Sequence, residues 1–187
     1  MKKTIVFALL SLALLKVTAF TVQAIINWKI NNEKSSVKFT MNAHGQELIG
    51  SFTGVEGSVK FDPTDLTNSS LKCSIAVSTI NTGNEKRNGH LQAAGWFDAA
   101  KFAAITFAST KLEATVSGGY TATGTLSLKG TEKEISFPFT FEENKEGGIF
   151  KGSFTILRGD YGVGKTDGDV SNEVTINLEV PVTKEVL

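Results

Sequence analysis

Apolar residues at every second position, sustained in short runs over most of the chain, constrain this sequence more than any other feature. Val37, Phe39 and Met41 alternate with Lys38 and Thr40, and Val59 and Phe61 with Ser58 and Lys60. Leu71, Cys73, Ile75 and Val77 alternate with Lys72, Ser74 and Ser78 across Ala76. The pattern returns in Leu126 and Leu128, in Ile135, Phe137, Phe139 and Phe141, in Phe154 and Ile156, and from Val174 through Ile176, Leu178 and Val180 to Val182. A period of two turns one face of each strand to an apolar interior and the other to water. Turn chemistry separates the runs at Ser117-Gly118-Gly119, at Lys129-Gly130-Thr131, from Asn144 to Gly148 and from Gly159 to Gly168. About eight short half-buried strands joined by tight turns predict an all-β antiparallel sheet, closed into a barrel or folded into a sandwich.

Three features favour the barrel. Glycines at Gly50, Gly54 and Gly57 stand where a strand must bend or bulge at a barrel corner. The Cys and Trp pairing of immunoglobulin sandwiches is missing. The inward set is rich in phenylalanine, and an interior of about eight strands either fills itself or holds one small ligand. An outer-membrane barrel fits poorly, because its strands need about 9–11 residues and an apolar lipid face, whereas these read as shorter and carry Ser, Thr, Lys and Glu on the second face.

Alternation stops in one long stretch, from Asn84 to Phe107. Asn84 is an expected N-cap, Glu85 lies in the first turn, and Arg87, Leu91 and Ala94 fall at helical spacing. Gly95 stands where a C′ glycine would end the helix, and Asp98 is positioned to cap a second brief turn after Trp96 and Phe97. The expectation is a short helical segment over about 84–104, near one end of the barrel, whose aromatic pair closes the mouth.

The N-terminus reads as a secretory signal peptide: Met-Lys-Lys, an apolar run from Ile5 to Leu15, and small-residue cleavage sites ending at Ala19 or Ala24. The run falls short of the roughly 20 residues of a membrane span, and no lipid-attachment cysteine follows it. Residues 1–24 are therefore assigned to the signal and 25–187 to one domain in an exported, periplasmic protein. Removal of Lys2, Lys3 and Lys16 takes the formal charge from +0 to −3, which suits neither nucleic acid nor an anionic membrane. The single cysteine, Cys73, excludes an internal disulfide, and its register turns it inward as a small hydrophobe.

Residues in patterns suited to chemistry are few. Gly159 to Thr166 fits the G-x-x-x-x-G-K-[ST] phosphate loop, but Asp167-Gly168-Asp169-Val170-Ser171 leads into a strand where that loop requires a helix, so no nucleotide is expected. His44 and His90 are the only histidines and belong to no metal-ligand pattern. No metal or other cofactor is expected. Arg158 and Asp160 open the glycine loop at the barrel rim, suited either to a ligand's polar end or to a plain ion pair.

Trp28, Ser36-Val37-Lys38-Phe39, Gly50-Ser51-Phe52, Val59-Lys60-Phe61-Asp62, Arg87 with His90-Leu91, Phe97 to Phe102, Ile105-Thr106-Phe107, Gly124 to Gly130 and Arg158 to Gly162 occur in an order and spacing that resemble the YceI-like family of periplasmic polyisoprenoid-binding proteins. The resemblance covers nearly the whole mature chain and implies a lipocalin-like antiparallel β-barrel with an apolar tunnel for an isoprenoid or quinone-like chain. Non-enzymatic binding, sequestration or transport of such a lipid is the function it implies. A lipid-modifying enzyme using the same cavity, and a structural or stress-related protein with a filled core, are the alternatives. The tunnel wall is expected from Phe39, Phe52, Phe61, Ile75, Val77, Leu91, Trp96, Phe97, Phe107, Leu126, Leu128, Phe137, Phe139, Phe141, Phe154, Ile156, Ile176 and Leu178. The polar rim is expected from Arg87, His90, Arg158 and Asp160. The expected partner is an isoprenoid-like or other long-chain lipid, with no nucleic acid, no nucleotide and no stable membrane insertion; monomer and homodimer both remain open.

Overall fold

A computed structural model of the chain describes residues 26–185; the expected signal peptide, with both expected cleavage sites, lies outside the described residues. Ten strands follow in order: β1 (Asn27–Ile30), β2 (Ser36–Ala43), β3 (Gln46–Thr53), β4 (Glu56–Lys60), β5 (Ser70–Ala76), β6 (Ala104–Ala114), β7 (Tyr120–Leu128), β8 (Thr131–Glu143), β9 (Gly148–Leu157) and β10 (Glu173–Lys184). One helix, α1 (Glu85–Gln92), stands between β5 and β6. All pairings are antiparallel, and the ring β1-β4-β5-β6-β7-β8-β9-β10 closes through the pairing of β1 with β10. The barrel has eight staves because two of them are interrupted. β1 and β2 lie end to end along β10, as Trp28 to Ile30 pair with Val182 to Lys184 and Ser36 to Thr40 pair with Thr175 to Glu179.

The first interruption has a local cause in β10. Pro181 has no N–H to give, and its carbonyl accepts from Asn31 N at 2.9 Å, so its donor-less side faces the place where the chain loops away from the sheet. The second falls at Gly54, in the left-handed region at φ +73°, between β3 and β4. Gly57 completes this corner: its φ is +147°, and a Cβ there would run into the Lys72 carbonyl of the neighbouring strand. The corner therefore lies within the Gly50 to Gly57 run expected to bend the strand.

Strand length departs from expectation. β6, β8 and β10 have 11, 13 and 12 residues, long enough to have spanned a bilayer. What argues against a lipid-facing exterior is the outer face itself, where Thr106, Glu132, Glu134, Ser136, Glu173, Asn177 and Glu179 are exposed. Among the described residues no helix is long and apolar enough to cross a membrane.

The interior is divided lengthwise. At the end that carries the β6–β7 and β8–β9 turns, Phe61 is fully buried and packs edge-on against Tyr120, Phe139, Phe141 and Phe150, with ring centroids 5.1 to 5.8 Å away. Trp28 closes the same cluster, its indole N–H donating to the Phe61 carbonyl at 2.8 Å. Edge-to-face rings at such separations add about 0.5–1.5 kcal/mol per pair beyond burial, so this end is a solid plug.

The opposite end is covered by the 77–103 connection and by the 158–172 loop. Asn84 caps α1 as predicted, accepting from Arg87 N at 3.0 Å. The helix stops at Gln92, short of the predicted span, because Ala93 is extended at ψ 164°; Gly95 is therefore not the C′ residue. With only Asn88 and Leu91 buried, α1 has no apolar stripe to lengthen it. Asp98, at φ 52°, turns the chain, and its carbonyl accepts from the N–H groups of Lys101 and Phe102.

Candidate functional site

Between the aromatic plug and the covered end lies a cavity of about 200 Å³. Of the residues expected to line it, Phe39, Phe52, Ile75, Phe97, Phe107, Leu126, Leu128, Phe137, Phe139, Phe154, Ile156, Ile176 and Leu178 form its wall. Each comes from the inward register of its strand except Phe97, which enters from the 93–103 connection. Phe107, Phe154, Ile156 and Leu178 are interior residues yet only half-buried, since the void leaves one side of each without partner atoms.

Five expected residues lie elsewhere. Phe61 and Phe141 belong to the plug, where rings fill the tapering barrel. Val77 and Leu91 are buried beneath the 77–103 connection, off the cavity wall. Trp96 sits one layer further out. The wall also contains Val37, Val55, Val59, Leu71, Cys73, Ile105, Ile135, Phe150, Val174 and Val180. The alternation that identified their neighbours marks most of these as well; Val55, in the break after Gly54, and Phe150, ahead of the Phe154–Ile156 run, carried no such signal.

The wall holds no charged residue; Ser74 and Thr106, paired across β5 and β6 in the outward register, border it between the inward Cys73, Ile75, Ile105 and Phe107. Cys73 faces the cavity, and burial pushes its thiol up to about 11. Its thiolate fraction at neutral pH is accordingly minute.

The polar residues expected at the rim act as structural ties. Arg158 is buried and donates four hydrogen bonds of 2.7–2.8 Å to the carbonyls of Val163, Lys165, Val170 and Ser171. It winds the glycine loop around its guanidinium. The loop that mimics a phosphate site is therefore folded onto an arginine, and a short 3-10 turn over Arg158–Tyr161 stands where a nucleotide fold would need its glycines free. Asp160 pairs with Lys133 at 2.9 Å in an exposed bridge, and Arg158 and Asp160 do not pair with each other. Arg87 is exposed and ties back to Thr82, through Nε to the hydroxyl and through NH2 to the carbonyl. Buried Asn88 takes the same threonine's N–H and hydroxyl on its side-chain oxygen, at 2.9 and 2.8 Å.

Trp96 links the two covering segments. Its indole N–H donates to His90 Nε2 at 2.9 Å, and the Arg158 guanidinium lies 5.3 Å from its ring centroid. Gly164 N donates to the Gly95 carbonyl at 3.1 Å, and a side chain at Gly164, whose φ is +69°, would strike both Trp96 and Arg158. This clasp holds Phe97 in the cavity wall. Among the described residues no group of three or more His, Cys, Asp or Glu side chains is placed to hold a metal ion.

Comparison with known proteins matches this arrangement. Burkholderia cenocepacia BcnA, a crystal structure, superposes with a TM-score of 0.78 at 28% identity, covering 82% of this chain and 99% of BcnA. A polyisoprenoid binding domain from Saccharophagus degradans, implicated in plant cell wall breakdown, has a TM-score of 0.66 over 87% of this chain and all of its own, and at 14% identity shares the fold alone. In sequence, a UPF0312 protein of Shewanella putrefaciens is 26% identical over 96% of this chain and 97% of its own length. The family model for the YceI-like domain matches residues 28–182, from the first barrel stave to the last, and the chain belongs to the YceI-like family.

Proposed function

We propose that this protein binds and carries an isoprenoid-like lipid chain within the barrel, without covalent chemistry. The observation that carries the reading is a cavity of about 200 Å³ whose wall contains no charged side chain. A purely structural barrel would have filled this space as the opposite end is filled. The void exceeds the roughly 150 Å³ that accepts a benzene ring, so it takes one or two five-carbon units with the side chains as they stand. Longer chains enter as the stacked Phe137 and Phe154 rings, 4.5 Å apart at the cavity floor, rotate aside. At about 0.8 kcal/mol per buried methylene, each five-carbon unit contributes roughly 4 kcal/mol relative to water, enough for several units to exceed the costs of association.

An enzyme acting on the lipid would need a nucleophile or an acid-base pair against it. The wall offers Cys73, which burial keeps protonated. The shared fold of the polyisoprenoid binding domain from Saccharophagus degradans supports the same class of ligand. The signal-like N-terminus supports action in the periplasm, where lipid transit between membranes requires a carrier with a polar exterior. Mass spectrometry of an organic extract from the purified protein, produced with its own N-terminus, is the test: prenyl-chain lipids in stoichiometric amount are expected. An empty extract, together with no uptake of a polyprenyl alcohol by the delipidated protein, would overturn the proposal.

A further inference from the structure

Among the described residues the barrel wall lacks a ladder along two edges: the outer edge of β3, bridged only at Ser51 with Asn81, is covered by the 77–103 connection through Thr79 and Phe97, while the edge between β1 and β4 has no such cover. β1 pairs with β4 only through Asn27 with Lys60 and Trp28 with Val59, and β2 begins to pair with β3 only at Ser36 with Thr53. Between these points residues 29–35 face residues 54–58 with no ladder among the described residues. A cleft of about 270 Å³ occupies this seam. Its polar lining includes Lys29, Asn32, Glu56, Ser58 and Glu185.

The cleft adjoins the apolar cavity. Val55 and Val59 line both, so a partition of two valine side chains separates the outside from the interior. The wall is thin just beside it: Gly57 occupies the inward position opposite Cys73 and contributes no side chain. Other routes into the cavity are obstructed, one end by the plug around Phe61, the other by the Trp96 clasp and the loop wound on Arg158. Parting a seam without ladder hydrogen bonds costs far less than opening either end.

We propose that this seam is the lateral entrance for the lipid chain and that the polar cleft seats its head group, an inference that rests on the lipid-carrier reading above. Two carboxylates, Glu56 and Glu185, against the single ammonium of Lys29 disfavour a phosphate and suit an uncharged hydrogen-bonding head such as a hydroxyl. The ligand class is therefore a prenyl alcohol or similarly neutral prenyl lipid.

The test bridges the seam. Lys29→Cys with Ser58→Cys places two outward thiols one step past the last paired residues, to be joined by oxidation or, where they stand further apart, by a short bis-maleimide. Thr125→Cys with Glu134→Cys, on the fully paired β7–β8 ladder, is the control bridge. Radiolabelled polyprenyl alcohol in phosphatidylcholine vesicles is the probe, and mass spectrometry reports bridge formation. Bridging the seam before loading is expected to slow uptake about tenfold or more, and bridging after loading to slow release about as much, while the control bridge leaves both rates unchanged. Uptake by the seam-bridged protein as fast as by the control overturns the entrance. Polyprenyl phosphate taken up as readily as the alcohol overturns the head-group assignment. If the unbridged chain takes up neither probe, the carrier reading itself fails, a result distinct from both.

Discussion

The two ends of this barrel are built from the same kinds of residue in the same register and end in opposite states. Around Trp28 and Phe61 the inward rings interlock until no accessible space remains. Around Phe107, Phe154 and Ile156 the inward residues leave a void, and the end is closed by chain crossing above it. The difference lies in what caps each end. At the plug, Phe61 comes from the chain just beyond β4 and lies across the barrel axis, supplying the ring that fills the centre. At the hollow end the covering segments contribute Phe97 to the wall but spend Trp96 and Arg158 on binding each other. Hollowness is thus a property of the connections more than of the strands.

The largest expected effect tests this contrast directly. In delipidated protein, Phe61→Ala should cost about 3–5 kcal/mol, because it opens a cavity in a site packed on every side, whereas Phe154→Ala should cost only about 1–2 kcal/mol because one of its sides already meets empty space. Urea denaturation with unchanged m-values measures both. Equal losses would mean that the ends do not differ in packing.

Next in size is the clasp. Arg158→Met keeps an apolar stem but strands four carbonyls that have no other donor in the loop, and a loss of about 3 kcal/mol is expected. Arg87→Met, at an exposed tie to Thr82, should cost about 1 kcal/mol or less. Thermal melts of the two variants separate a loop organised by its arginine from a rim on which both arginines are ornaments of the surface.

These contrasts also mark what the sequence disclosed. Period-two alternation identified the staves and most of the cavity wall, since register alone decides which side chain points inward. It could not distinguish Phe61 and Phe141 from Phe137 and Phe154, because all four are inward phenylalanines and only their depth along the barrel separates plug from void. Trp96 was misplaced for another reason: its neighbour Phe97 lines the cavity, and in a non-helical connection no periodicity tells which of two adjacent rings faces in. Arg158 read as a rim residue suited either to a ligand's polar end or to an ion pair with Asp160; its carbonyl partners lie as far as 13 residues away, beyond the reach of any local pattern. The seam was half visible, through Gly54 and Gly57, while the part set by Pro181 required the pairing of β10 with β1.

A smaller effect concerns the cavity wall. Cys73 lies on it, with its thiol pushed up from the ordinary 9.0 to about 11. That rise implies about a hundredfold less thiolate at pH 8 than in the unfolded chain, so a soluble maleimide should label native protein at least that much more slowly than denatured protein. The sign of the linkage follows: the fold favours the protonated thiol, so this contribution is complete below pH 9.0 and is lost as the pH rises toward 11. Bound lipid, by covering the sulfur, should slow labelling further. Rapid labelling of the native protein would place Cys73 on the outer face and shift the register of β5 by one residue.

The finest probe of the two ends is already present in the chain, whose only two tryptophans stand one at each. Trp28 is sealed in the plug at 2% exposure, with its N–H held by the Phe61 carbonyl. Trp96 is partly exposed at the clasp, one residue from Phe97 on the cavity wall, with its N–H held by His90. Trp28→Phe leaves Trp96 as the sole reporter, and Trp96→Phe leaves Trp28. On titration of each delipidated variant with polyprenyl alcohol, Trp96 emission should change saturably, because a chain pressing on Phe97 alters the packing of the residue beside it. Trp28 emission should change less than Trp96 emission, because its ring is packed into the plug, which has no room to admit ligand, although Trp28 also borders the seam cleft. A change at Trp28 with none at Trp96 would reverse the comparison, making the aromatic cluster the binding end and the clasp a fixed cover. Equal changes at both would mean that the lipid threads the whole barrel, and that the plug yields to it as Phe137 and Phe154 are expected to do.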